Sequence, residues 1–200
     1  MSANLVRVGG GLAAMLGGIL GVIASLMALV FVLPRVLSQT PSALTASSII
    51  TLTGVLLILA WVLVSVGLVG LYESQQEAVG VLGVVGFAIA LVGSLLVVGV
   101  LCIQTFNIGA SGGLALLLAG IVVILSSVGW FLFALATYRA SIYPRAAAIL
   151  LMVGAAINLV IHLSGGEFIV MAAAIAWLGY FLFRGRASLG GEAGSRISPR

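Results

Sequence analysis

Six long apolar segments, parted by short charged or turn-rich breaks, take up almost all of this 200-residue chain. A helix of a water-soluble fold hides one apolar stripe and keeps its other faces polar. This chain lacks the polar residues to do so. It is 63% apolar and 6% charged, against roughly 45–50% and about 25% in ordinary soluble domains. Hydrocarbon is therefore the expected solvent. A bilayer core is roughly 30 Å thick and takes about 20 apolar residues of helix to cross. Two hundred residues then hold six crossings and no separate soluble domain.

The segments run from about Val8 to Leu33, Ser48 to Leu71, Val79 to Ile103, Leu114 to Thr137, Arg145 to Leu163 and Phe168 to Phe183. Backbone groups in lipid must pair within their own segment, so each is expected to be helical despite its glycines and β-branched residues. The predicted fold is all-α: an integral membrane bundle of six transmembrane helices over residues 1–184. Residues 185–200 form a polar stretch of Gly, Ser and Arg, expected to be a flexible cytoplasmic tail. The first apolar run exceeds a signal-peptide core and shows no small-residue cleavage site near Pro34, so it reads as a retained helix.

Orientation follows from the arginines. With six spans, the side bearing both termini and the second and fourth breaks holds Arg7, Arg139, Arg145, Arg184, Arg186, Arg196 and Arg200. Arg35 alone falls on the other. Basic residues accumulate on the cytoplasmic side, so both termini are expected inside. All eight cations are Arg, there is no Lys or Asp, and Gly numbers 27. That is the composition of a GC-rich bacterial genome, and the expected location is the bacterial cytoplasmic membrane. The net charge of +4 sits at membrane borders and is no nucleic-acid signal. Tyr72, Tyr138, Tyr143 and Tyr180 fall near cytoplasmic ends, as interfacial aromatics do. Trp61, Trp130 and Trp177 lie deeper and read as packing residues.

The second and third segments match the fourth and fifth in layout, which makes a duplicated helical hairpin one reading. Each pair turns at a Tyr, a short polar stretch and a helix start rich in small residues (Leu71–Gly86 and Thr137–Gly154). The turns carry opposite charge, Glu73 and Glu77 on one, Arg139 and Arg145 on the other. These can pair across the cytoplasmic surface, worth only about 0–1 kcal/mol each, and would fix which hairpin lies beside which.

Small residues mark packing faces. Gly9, Ala13, Gly17, Gly21 and Ser25 recur every fourth residue in the first helix, with Gly10, Ala14 and Gly18 beside them. Gly86, Ala90 and Ser94 form a similar line in the third. Such lines let backbones approach where lipid offers no hydrophobic drive. A contact between helices one and three, or between copies of the chain, is the expectation.

Ionisable groups inside a membrane usually mark function, and here no Asp, Glu, Lys or Arg lies mid-span. That argues against a proton- or sodium-coupled transporter and a voltage sensor. The fifth helix is the exception. Gly154, Asn158 and His162 share one face, with Glu167 just beyond at the outer rim alongside Arg35, Gln104 and Asn107. A polar headgroup or small ligand could be held there. The bland alternative is an Asn158 bonded to a neighbouring helix and an ordinary interfacial His162. One histidine and one cysteine, Cys102, supply no bis-histidine haem site, zinc site or intrachain disulfide. No catalytic triad exists without Asp, and no phosphate-binding glycine loop follows a strand. No cofactor is expected, and the chain reads as a non-enzyme.

The stretches RVGGGLAAMLGGILGVIASL, GLVGLYESQQEAVGVLGVVGFAIALVGSLLVVG and TYRASIYPRAAAILLMVGAA resemble a loose group of small six-helix membrane proteins of actinobacteria and Chloroflexi. The features that carry the likeness are the Tyr-polar turn before helix three and the turn formed by Arg139, Ala140, Pro144, Arg145, Ala146 and Ala147. The resemblance implies a six-helix bundle and carries no activity or functional residue with it. A more distant likeness is to the acid-resistance membrane family typified by HdeD, in the paired helices and the Pro after helix one.

Three functions fit these readings. The first is a structural or accessory subunit, partnered by the lipid bilayer and by other membrane subunits or a second copy of itself. The second is a transporter or channel for a small or lipophilic solute. The third is a lipid- or stress-responsive protein whose arginine-bearing tail meets anionic headgroups.

Overall fold

The computed structural model describes residues 3–32, 45–106, 112–160 and 168–195. They form helix α1 (Ala3–Met27), which runs on into a π-helical stretch (Ala28–Val32), then α2 (Thr45–Gln75), α3 (Gly80–Phe106), α4 (Gly112–Ala140), α5 (Arg145–Val160) and α6 (Phe168–Ser195). Each apolar segment is helical over its described residues. Several helices outrun their apolar stretch: α2 carries on through Glu73 to Gln75, α4 through Arg139, and α6 to Ser195, across most of the stretch read as a tail. Hydropathy reports where hydrocarbon contact ends; the helix itself stops where its backbone bonding stops. The α2–α3 turn is closed by the Gln75 carbonyl, which accepts from Ala78 N at 2.9 Å and Val79 N at 3.1 Å. Gly80 then takes a left-handed φ of 58°, a conformation that costs glycine little.

The helices form a closed ring. Each packs on its neighbours in the chain, and α6 returns to pack on α1. Glycines set the register. Gly10 lies against Gly70, and Gly67 against Ala14, joining α1 to α2. Gly18 meets Ala172 and Ala176, and Gly11 meets Phe183, joining α1 to α6. Gly86 meets Phe133, Gly93 meets Ser126 and Gly129 meets Ala90, joining α3 to α4. In every pair, residue numbers rise on one helix as they fall on the other, so these neighbours are antiparallel. The start of α1, the α2–α3 turn, the α4–α5 turn and Phe183 share one end of the bundle.

The small faces of α1 and α3 thus meet other partners than the sequence suggested. Those of α1 are taken by α2 and α6; that of α3 is taken by α4. A four-residue period fits either of two adjacent lines, and the chain alone does not say which helix answers it.

Inside the ring sit Trp130, Phe133, Leu68, Leu71, Leu151, Met171, Ile175 and Leu178, all fully buried. Trp61 stacks on Phe168 with centroids 4.5 Å apart, locking α2 to α6. Tyr72 stacks on Phe87 at 4.2 Å, locking α2 to α3. Trp61 and Trp130 are the packing residues their depth implied, but Trp177 is 40% exposed on the outer surface of α6. Tyr143 departs in the other direction: it is buried in the α4–α5 turn.

The outside is as apolar as the inside. Leu16, Ile19, Ile23 and Leu26 point out from α1; Leu52, Val55, Leu59, Val62 and Val66 from α2; Ile121, Ile124, Val128 and Phe131 from α4. These are helical stripes at three- and four-residue steps. Soluble monomers rarely expose contiguous apolar patches beyond a few hundred Å². Among the described residues, four helices, over Val8–Phe31, Ser48–Gln75, Gly80–Phe106 and Leu117–Ala140, are long and apolar enough to cross a bilayer. The chain has the build of an integral membrane protein.

Candidate functional site: a polar seam along α4

In so apolar a bundle the informative groups are polar atoms in the interior, and α4 uses its own to join three other helices. Ser127, Trp130 and Thr137 reach three different helices. The Asn158 amide Nδ2 donates to Ser127 Oγ at 2.8 Å, tying α5 to α4. Trp130 Nε1 donates to Ser94 Oγ at 3.1 Å, tying α4 to α3. Gln75 Nε2 donates to Thr137 Oγ1 at 2.9 Å, tying α2 to α4. Thr137 passes its own proton back to the Phe133 carbonyl at 2.9 Å, so its hydroxyl is used in both directions.

The turn end of the seam is the most polar part of the core. Gln75 and Thr137 are buried there. Beside them, Ser74 donates to the Leu71 carbonyl at 2.6 Å and shares a hydrogen bond with the Tyr143 hydroxyl. Gln75 Oε1 is buried without a hydrogen-bond partner, as are Ser25 Oγ and Ser126 Oγ. An unpaired buried acceptor costs about 1–3 kcal/mol, so Gln75 is held there by the packing of the other groups. Sequence reasoning missed Gln75, Thr137, Ser127 and the Ser74–Tyr143 pair. The only signal was the Ser126–Ser127 pair inside an apolar run and the position of Gln75 next to a polar turn.

Of the predicted polar face on α5, Asn158 is 8% exposed and committed to Ser127. Gly154 lies against the Met171 backbone of α6. The two therefore bond or pack to different helices. His162 and Glu167 lie outside the described residues, as do Arg35 and Asn107; Gln104 is exposed. Among the predicted charge partners, Arg139, Arg145 and Glu77 are exposed and Glu73 is half-buried. Arg145 lies 5.9 Å from the centroid of the Tyr138 ring, a cation–π contact. Arg184 repeats that arrangement over Tyr180 at 5.8 Å.

Of the predicted packing line, Ala13, Gly17, Gly21, Gly86, Ala90 and Ser94 are buried, while Gly9 faces open space. Cys102 is a free, half-buried thiol. Next to the Asn158–Ser127 bond, a cleft of about 250 Å³ opens between α4 and α5. Its walls are Val128, Phe131, Leu132, Ala155, Ala156 and Leu159, with Ser127 beneath. Among the described residues, no three His, Cys, Asp or Glu side chains gather as a metal site would require.

The arrangement can hold helices together and receive an apolar group at the α4–α5 cleft. No family model matches the chain, and neither a curated protein nor a solved structure does.

Proposed function

We propose that this chain is a non-enzymatic protein of the bacterial cytoplasmic membrane that spans it six times, with both termini cytoplasmic, and serves as a structural or accessory subunit. The observation that carries the reading is how the interior polar groups are used. Ser127, Ser94 and Thr137 are each bonded to a side chain of another helix, so the seam spends its chemistry on holding the wall together. A further feature supports it. The outward face of α3 presents Val81, Val84, Val85, Val92 and Leu95, and Gly99 there has nothing within 4 Å of where a side chain would begin. An open glycine on an apolar face suits the close approach of another helix.

The test is gentle extraction from the native membrane, followed by crosslinking and mass determination. A particle heavier than one chain, with crosslinks on the α3 face, is the expected result. A lone chain that crosslinks to nothing would overturn the proposal. Replacing Gly99 by Leu separates the two roles of that face: assembly should fall while the bundle keeps its helicity and its unfolding midpoint.

A further inference from the structure

We infer that the α4–α5 hairpin is a binding site for an anionic phospholipid, with Arg139 and Arg145 holding the headgroup and the α4–α5 cleft taking the end of an acyl chain. The inference rests on the bilayer reading of the fold and not on the subunit role proposed above.

The register of the two helices carries it. Arg139 follows Val128 by eleven residues, and Ala156 follows Arg145 by eleven. Val128 and Ala156 are opposite walls of the cleft. Eleven residues make about three helical turns and rise about 16 Å, returning to within roughly 20° of the starting face. Each arginine therefore stands on the same face of its helix as a wall of the cleft, at the same distance from it. That distance matches the depth of one leaflet, half of a hydrocarbon core roughly 30 Å thick. A phospholipid with its phosphate at the turn has its chain ends at the level of the cleft.

The chemistry at each end suits that occupant. Both arginines are exposed at the turn, and Arg145 is steadied over the Tyr138 ring at 5.9 Å. Two guanidinium groups flanking one turn match a phosphodiester anion in charge and in bidentate geometry. The cleft is apolar apart from Ser127, whose hydroxyl is already occupied by Asn158. Its lining suits an apolar chain better than a polar solute. Leu159, Val128 and Phe131 are partly exposed along its mouth, which leaves a chain free to enter sideways from the bilayer.

Full-length protein in nanodiscs of palmitoyl-oleoyl phosphatidylcholine with a minor fraction of the matching phosphatidylglycerol, released for native mass spectrometry, tests this directly. Retained lipids are counted by mass. The wild type should retain one phosphatidylglycerol with a preference over phosphatidylcholine of about thirtyfold, from roughly fivefold per basic residue near the surface. Arg139→Gln with Arg145→Gln should bring the two lipids to within about twofold of parity. Ala156→Phe, at an exposed position, fills the cleft. It should lower retention of the long-chain lipid and leave dioctanoyl phosphatidylglycerol bound as in the wild type. Circular dichroism verifies that each variant keeps its helices. Equal retention of the two lipids by the wild type would overturn the inference, and so would a preference that survives loss of both arginines. Unchanged long-chain retention in Ala156→Phe would overturn the role of the cleft. A chain that fails to enter nanodiscs at all would remove the bilayer reading itself, and the site with it.

Discussion

Ser141 holds a left-handed backbone, φ 54°, where α4 gives way to the turn before α5. Its N–H donates to the Thr137 carbonyl at 3.3 Å and so closes the last helical turn. Glycine usually fills this position, because an L side chain there costs roughly 1–2 kcal/mol. The serine offsets part of that by turning its hydroxyl to the Tyr138 carbonyl at 3.3 Å. Ser141→Gly should therefore stabilise the bundle by about 0.5 kcal/mol, the strain relieved less the added freedom of the unfolded chain. Denaturant unfolding in micelles reads the shift; a destabilised variant would mean that the hydroxyl contact outweighs the strain. Asn158 poses the opposite question, since its partner is another helix. A double-mutant cycle with Asn158→Leu and Ser127→Ala should give a coupling of about 0.6 kcal/mol and no more than about 1.7, the range for hydrogen bonds between membrane helices. A coupling of zero would mean that the 2.8 Å bond merely replaces one available in the unfolded state. Asn158 was visible in the sequence as a strong hydrogen-bonding group deep in an apolar helix. Ser127 was not, because a serine in such a run satisfies itself within its own helix as readily as across an interface.

Among the elements, α1 shows how far a small-residue pattern can be read. Gly9 and Gly10 are adjacent and fall on two lines of equal period. A methyl group at Gly10 would lie 2.5 Å from the Gly70 Cα, whereas at Gly9 nothing lies within 4 Å. Gly10→Ala must push α1 off α2 and should cost about 1–3 kcal/mol. Gly9→Ala should be neutral or stabilise by about 0.5–1 kcal/mol through helix propensity. Melting the two variants side by side settles the register, and equal effects would contradict the packing of α1. That each apolar run is helical was legible, because hydrocarbon demands internal bonding; the helix ends were not, since α2, α4 and α6 run on past their apolar stretch. Partner choice was not, since α1 has small residues on two faces and uses one against α2 and the other against α6. The two hairpin turns look alike in sequence, yet they close differently. One places its left-handed residue at Gly80 at the start of α3; the other places it at Ser141, directly after α4.

At the scale of the whole molecule, the wall is apolar inside and out, and the described charges lie at one end of it. Arg139, Arg145, Arg184, Glu73 and Glu77 gather at the end that holds the α2–α3 and α4–α5 turns. That much follows from composition and spacing, because charge at the bilayer centre is expensive wherever the helices go. Apart from Asn158, the polar seam of α4 was hidden from the sequence, since its members are Ser, Thr, Gln and Trp scattered over three helices and meet only in the ring. Sidedness is where the proposal is most exposed. In a Cys102→Ala background, single cysteines at Gln76 and Ser141 should react with a membrane-impermeant maleimide only when the cytoplasmic face is open to the reagent. A cysteine at Gln104, at the far end of α3, should react only from the opposite face. All three positions are exposed, so a failure to label reflects sidedness and not burial. The antiparallel register of α2 with α3, set by Gly54 against Thr105, requires Gln76 and Gln104 to differ in every case. Labelling of both from one side would mean that α3 does not cross the bilayer. Labelling of Gln76 and Ser141 from outside alone would keep the bundle and invert it, against the arginine bias that sets orientation in other membrane helices.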